Sequence, residues 1–235
     1  MTCLKKNKVV MSNALARSSQ KMTLHEKRIL TIAISKIDSR KKNRTDNDRR
    51  ICVSLNDISD TFDIERKSNY KQSKNALIKL EDRTASFIKH ASLTSVREVK
   101  IKFFEHCSYN REKASIDLIF SKEISKELFN LKRNFTQYYL SDIYNVKSFY
   151  SSRFFEILMS KSNSEKSGTS KISLSQLKYM LCIPGSYLYN NIKERIIERS
   201  VTELNTNSSY AFDFKEKKEG RKIRNVIFNF KCKQY

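Results

Sequence analysis

Residues 54–78, SLNDISDTFDIERKSNYKQSKNALI, and residues 173–197, SLSQLKYMLCIPGSYLYNNIKERII, read as two versions of one design set 119 residues apart. Ser54-Leu55 recurs as Ser173-Leu174. Ile58 maps to Leu177, Phe62 to Leu181, Ile64 to Ile183 and Tyr70 to Tyr189. Further on, Lys74 maps to Lys193, Leu77 to Ile196 and Ile78 to Ile197, all without a gap. Self-similarity at a fixed offset marks a repeated structural unit. Each version reads as a short helix, a turn, then a longer helix rich in Lys, Arg and Asn. With strands on either side, the order is helix, strand, helix, helix, β-hairpin, that of a winged helix-turn-helix. The expected fold class is α+β, two tandem winged helix-turn-helix domains related by internal duplication.

Outward from the first version, residues 1–12 read as a flexible basic arm. Thr23 with Glu26 three residues on forms a capping box, opening a helix with Leu24, Ile29, Ile32, Ala33 and Ile37 on one face. Residues 39–50, SRKKNRTDNDRR, lack an apolar anchor and read as a loop or hairpin tip. Ile51, Val53 and Leu55 alternate as a short strand, after which Asn56 or Asp57 is the expected cap of the short helix. The long helix is expected over 67–82, with Tyr70, Ser73, Leu77 and Leu80 on one side. Strands are expected over 84–91, 96–106 and 114–120.

The second version follows the same order. A helix over 148–162 carries an inward stripe of Phe149, Arg153, Phe154, Ile157 and Leu158. A polar loop over 161–170 and a strand over 172–174 come next, then a helix over 175–182. Pro184-Gly185 makes the turn. The long helix runs over 189–205 with Ile192, Ile196, Val201 and Leu204 inward. A hairpin over 210–217 and 221–231 alternates Phe212, Phe214, Val226, Phe228 and Phe230. Between the two units, SKEISKELFNL is amphipathic through Ile124, Leu128 and Leu131. The expected domains are therefore 10–120 (DNA binding), a linker helix and connection over 121–145, and 146–235.

The charge says what such a chain would bind. Lys and Arg number 47 against 25 Asp and Glu, a net charge of +22 over 235 residues. That excess strains a compact state by self-repulsion, and a polyanion such as nucleic acid relieves it. No apolar run approaches the ~18 residues of a membrane span, so no membrane association is expected. The N-terminus lacks the apolar core of a signal peptide. Five cysteines, widely spread and with no CxxC pair, predict reduced thiols rather than a zinc site or a disulfide frame.

A recognition helix aims long polar side chains away from its own core, towards base edges and phosphates. In the first long helix these are Arg66, Lys67, Asn69, Lys71, Lys74 and Asn75. In the second they are Asn191, Lys193, Arg195 and Arg199. The final hairpin tip, KEKKEGRKIR at 215–224, adds Lys217, Lys218, Arg221 and Lys222 as a basic wing. Catalysis finds no support. Histidine occurs only at His25, His90 and His106, with no HxH metal pair, and GxxxxGK[ST] is absent. No enzymatic activity, cofactor or metal is expected.

Three further stretches carry a family resemblance. NALARSSQKMTLHEKRILTIAISKI at 13–37 is similar to an opening segment in which S-L-x-x-x-K-R starts the first helix. NFTQYYLSDIYNVKSFYSSRFFEIL at 134–158 matches F-T-x-Y-x-L followed by Y-x-x-R-x-[YF]-E-x-L, through Tyr150, Arg153, Phe155, Glu156 and Leu158. TELN at 202–205 and KKEGRKIRNVIFNF at 217–230 resemble an ending of the form E-I-N … K-K-G-R-x-x-x-x-I-x-F-x-F. The chain thus resembles the replication initiator proteins of iteron-containing plasmids. The resemblance implies two winged-helix domains gripping double-stranded DNA at tandem origin repeats in the bacterial cytoplasm. It further implies opening of an AT-rich segment, recruitment of the host replication initiator and helicase, and a homodimer in equilibrium with monomer. The dimer would repress its own gene at an inverted-repeat operator. By position, Lys193 and Arg195 fall in the family's second recognition helix, where Glu194 interrupts an arginine run. The alternative reading is a winged-helix transcriptional regulator binding an inverted repeat without origin activity.

Overall fold

The computed structural model describes residues 4–38, 41, 44–90, 96–162 and 166–233. The chain divides into two compact units, Met1–Leu140 and Ser141–Tyr235. The first unit runs β1 (Lys8–Ser12), α1 (Asn13–Arg17), β2 (Ser19–Gln20), α2 (Leu24–Ser35), β3 (Arg50–Ser54), α3 (Leu55–Phe62) and α4 (Arg66–Leu80). It continues with β4 (Thr84–His90), β5 (Val96–Lys102), β6 (Phe104–Asn110), β7 (Ser115–Phe120), α5 (Lys122–Ser125) and β8 (Phe135–Tyr139). The second unit holds α6 (Phe149–Met159), β9 (Ser167–Ser173), α7 (Leu174–Met180), α8 over 189–207, β10 (Tyr210–Glu219) and β11 (Lys222–Cys232).

The duplication is written first into the helix caps. Ser54 caps α3 and Ser173 caps α7, each accepting from the N–H three residues on, with Asp57 and Gln176 returning the bond. Both short helices end on a left-handed residue, Asp63 and Cys182, each at φ 51°. Behind each, a backbone bond folds the chain over the helix end: Ile64 N to Ser59 O at 3.1 Å, Ile183 N to Lys178 O at 2.9 Å. All these positions keep the 119-residue offset. The sheets repeat as well, with orders β3-β7-β6 and β9-β11-β10. In each, the strand leading into the short helix pairs with the second strand of the hairpin. Val53 pairs with Ile116 and Ile172 with Val226.

The offset then slips by one. Ser73 and Ile192 are both buried and 119 apart, but beyond them the buried positions are Ala76 and Leu80 against Ile196 and Ser200, 120 apart. The extra residue is absorbed in a π-helical turn, Lys193–Glu198, between α-helical stretches Tyr189–Ile192 and Arg199–Asn207. The gapless pairing of Ile78 with Ile197 is therefore corrected: Ile78 is 74% exposed and Ile197 0%.

Several other expectations are revised. Ser54, not Asn56 or Asp57, caps α3, because its hydroxyl reaches the Asp57 N–H. The inward face of α4 is Asn69, Ser73, Ala76 and Leu80, whereas Tyr70 is exposed. The strand expected over 96–106 breaks at buried Phe103, whose N–H turns to Arg83 O, so β4–β5 forms an additional hairpin that the second unit lacks. Of the expected arm, residues 8–12 form β1, paired with β8, with Val9 and Met11 buried. Residues 1–3, which include Cys3, lie outside the described residues. So do 39–40 and 42–43 of the expected loop, 91 of the first strand and 163–165 of the polar loop. Within that loop, Asp46–Arg49 is a short turn pinned by Arg49, which reaches Asp46, Glu105 and Phe120 O. The stretch 121–140 is packed into the first unit: Ile124 and Leu128 are fully buried and β8 completes a sheet.

Each unit closes on a first helix. α2 is buried almost all round, and Glu26 both caps it and binds Arg83 at 2.7 and 3.0 Å. In α6 Arg153 pairs with Glu156, both fully buried. Beside them Phe154 meets Phe228 edge-on at 4.8 Å between ring centres. An edge-to-face pair of this kind adds stabilisation beyond the area it buries.

Candidate nucleic-acid interface

The inward face of α4 fixes its outward one. A relay of buried hydrogen bonds locks it in place. Asn69 Nδ2 donates to Leu55 O at 2.7 Å and to Ser59 Oγ at 2.9 Å. The Ser73 hydroxyl donates to Asn69 Oδ1 at 3.0 Å and lies 2.8 Å from His25 Nε2. Burial, ahead of the nearby Arg28 charge, pushes the His25 imidazole down to about 4, so it is neutral near pH 7. Asn69 is thus corrected from a base-contacting residue to a core one. It is fully buried, and its amide is spent on joining α4 to α3.

The other expected residues of α4 do face outward. Arg66, Lys67, Lys71, Lys74 and Asn75 are exposed. Among the described residues, none of the four cations makes an ion pair. Tyr70 stands between this row and the hairpin, with its ring edge-on to Tyr109 of β6 at 5.9 Å. The β6–β7 tip adds Arg111 and Lys113, both exposed, around a turn held by Asn110 Oδ1 and the Lys113 N–H at 3.1 Å.

The second unit arranges the same parts differently. α8 buries Ile192, Ile196, Ile197, Ser200 and Leu204, and it exposes Glu194, Arg195 and Arg199. Arg195 lies over the Tyr187 ring at 5.8 Å, on an open groove shared with Arg199, Tyr150 and Ser148 at the start of α6. Asn191 is half-buried and its Oδ1 accepts from the Leu188 N–H at 3.2 Å, capping the helix. Lys193 reaches Glu216 on β10 at 2.9 Å and lies 4.0 Å from Glu198. Hydrogen bonding and charge from Lys193 hold the Glu216 carboxyl below the usual carboxylate range, and the same bond raises the ammonium. So Arg195 and Arg199 are exposed on the groove, while Asn191 and Lys193 are engaged inside the unit.

The hairpin β10–β11 runs past its neighbour. β9 covers β11 only from Asn225 to Lys231, so 218–224 projects as a two-stranded ribbon. Gly220, at φ 62°, is the first of two turn residues, as a two-residue hairpin turn requires. Lys217, Lys218, Arg221 and Lys222 are exposed around it, and Asn225 Nδ2 ties back to Glu219 at 2.6 Å. Sequence reading placed Tyr70 on the inner side of its helix and missed Tyr109, Arg111, Lys113 and Glu216. Registering the two hairpins on each other would have found Tyr109 and Glu216. Val53–Ile116–Tyr109 in the first sheet corresponds to Ile172–Val226–Glu216 in the second.

Two winged-helix units, each presenting a polar helix beside a basic hairpin, define a tandem winged-helix protein of the nucleic-acid-binding class. Residues 8–159 match the model of the initiator replication protein WH1 domain, and residues 173–230 match that of the initiator Rep protein WH2 domain. The chain belongs to this family of replication initiators. It is 26% identical over 229 residues to a replication initiation protein of Escherichia coli, spanning 94% of this chain and 68% of that protein. Its fold is similar to that of the Pi initiator protein, solved in complex with iteron DNA. The TM-score is 0.81 and the identity 22%, over 98% of this chain and 99% of that one. Among the described residues no helix is long and apolar enough to cross a membrane.

Proposed function

We propose that this replication initiator binds tandem direct repeats at a plasmid origin through both of its winged-helix units. The observation that supports this best is the repeated pairing of an outward polar helix with a basic hairpin. Each long helix enters a major groove. Arg195 and Asn75 read base edges, while Arg66, Lys67, Lys71, Lys74 and Arg199 take phosphates or bases. The ribbon carrying Lys217, Lys218, Arg221 and Lys222 lies along the backbone. Binding promotes opening of an adjacent AT-rich segment and recruits the host initiator and helicase. A homodimer in equilibrium with the monomer represses the chain's own gene. The activity is one of binding and assembly, without a catalytic step.

Footprinting on the DNA flanking the gene, at two salt concentrations, tests the reading. Protection of tandem repeats over roughly two turns per site, about 34 Å between engaged grooves, is the expected result. Protection of an inverted repeat alone would make the chain a transcriptional regulator. Uniform binding that vanishes with salt would mean that the helices do not read sequence.

A further inference from the structure

The equivalent positions Lys74 and Lys193 differ: Lys74 is exposed and makes no ion pair among the described residues, whereas Lys193 is held by Glu216 at 2.9 Å. Glu216 occupies the place in the second hairpin that Tyr109 occupies in the first. There Tyr109 meets Tyr70. Here Glu216 meets Lys193 one helical turn beyond Tyr189, the counterpart of Tyr70. A carboxylate and a phosphate oxygen offer an ammonium the same charge-assisted hydrogen bond. Both side chains are partly exposed, 36% for Lys193 and 29% for Glu216, so an incoming phosphate can reach the pair.

We propose that Glu216 is a specificity-determining residue that competes with DNA phosphate for Lys193. This rests on the DNA-binding role given above for α8. On DNA without the right sequence, Lys193 stays on Glu216 and contributes no counterion release. On a matched repeat, base contacts by Arg195 draw α8 deep enough for Lys193 to exchange its carboxylate for a phosphate. The contact is thereby withheld from random DNA, and the ratio of specific to random binding rises. Arg66, Lys67, Lys71 and Lys74 of the first unit have no such competitor among the described residues, so no internal carboxylate withholds them from random DNA.

The test is a salt titration of the full-length chain on a fluorescein-labelled random-sequence duplex, with Glu216→Gln, Lys193→Gln and the double variant. Melting curves check that each is folded. Glu216→Gln is expected to tighten random-duplex binding and to steepen the slope of log K against log salt by about 0.9, one added phosphate contact. The gain then falls by about 3.5-fold for each fourfold rise in salt. It disappears when Lys193→Gln is added, because the effect runs through that lysine. A gain that persists in the double variant would reduce Glu216 to general repulsion of DNA and overturn the proposal. An unchanged slope in Glu216→Gln would overturn it too. Wild-type chain that fails to bind the duplex even at low salt would instead remove the DNA-binding reading on which the proposal rests.

Discussion

The two long helices come from one pattern and are tied to their hairpins by opposite chemistry. α4 is joined to its hairpin through an aromatic edge, Tyr70 on Tyr109, and its cations make no ion pair among the described residues. α8 is joined through an ion pair, Lys193 on Glu216, and carries acidic residues among its basic ones. α4 is a regular α-helix, whereas α8 accommodates an extra residue in a π-turn. The first helix leaves its cations open among the described residues, whereas the second balances much of its charge within its own unit.

The sharpest way to break this comparison is to delete one residue from each helix. Removing Lys74 rotates everything after it by about 100°, taking Ala76 and Leu80 out of the core. The cost is expected to exceed ~3 kcal/mol and to unfold the first unit first, as hydrogen exchange would record. Removing Glu194 lets the π-turn relax to an ordinary α-helix, and the second unit should keep its stability within ~1 kcal/mol. Equal losses in the two units would sink the account of the π-turn as an absorbed insertion.

A smaller effect separates the helices by what they read. Arg195→Ala is expected to weaken repeat binding by ~1–3 kcal/mol while leaving random-duplex binding closer to wild type. Lys71→Ala should weaken both alike and reduce the salt slope by about one. Matched losses on the two DNAs for Arg195→Ala would make that residue a phosphate contact as well.

Through histidine, mild acid should act on the first unit only. All three histidines lie in the first. His25 is held at about 4, below its ordinary 6.5, chiefly by burial. A depressed value stabilises the fold above the ordinary one, and the contribution is lost as pH falls from about 6.5 towards 4. After discounting for solvent screening it amounts to between ~1 and ~2 kcal/mol. Denaturation of wild type and His25→Gln over that range checks it: the variant's first unit should lose less stability as pH falls. The gentlest comparison concerns what the units share. Ser54→Ala and Ser173→Ala should each cost ~1 kcal/mol, in their own unit, because the caps are built alike.

The sequence declares those caps because capping is local. A serine and the residue three positions later suffice, whatever the rest of the chain does. The β10–β11 hairpin was equally plain, since its alternating aromatics and Gly220 act over neighbouring residues. The π-turn was hidden by Ile196 and Ile197 standing side by side. Either can fill the inward position, so an inserted residue leaves the apolar pattern looking continuous. Asn69 was hidden for a different reason. Its burial depends on the Leu55 carbonyl and the Ser59 hydroxyl of another helix, and a polar residue on a basic helix gives no sign of such partners. The additional hairpin β4–β5 was masked because β5 and β6 are separated by Phe103 alone, with no Gly, Pro or polar turn between them, and only the turn of the Phe103 N–H towards Arg83 divides them.

The projecting ribbon has a consequence apart from any ligand. Over 218–224 its strands have no third partner, and β10 is an open edge along its whole length. An uncovered edge invites another chain to extend the sheet and begin aggregation. Lys215, Lys217 and Lys218 outweigh Glu216 and Glu219 along β10, and Arg221, Lys222 and Arg224 follow around the turn, so two such edges repel before their backbones can pair. Trading these lysines for neutral β-formers would leave the hairpin folded and the protein prone to self-association, because the charge that suits a polyanion also keeps the molecules apart.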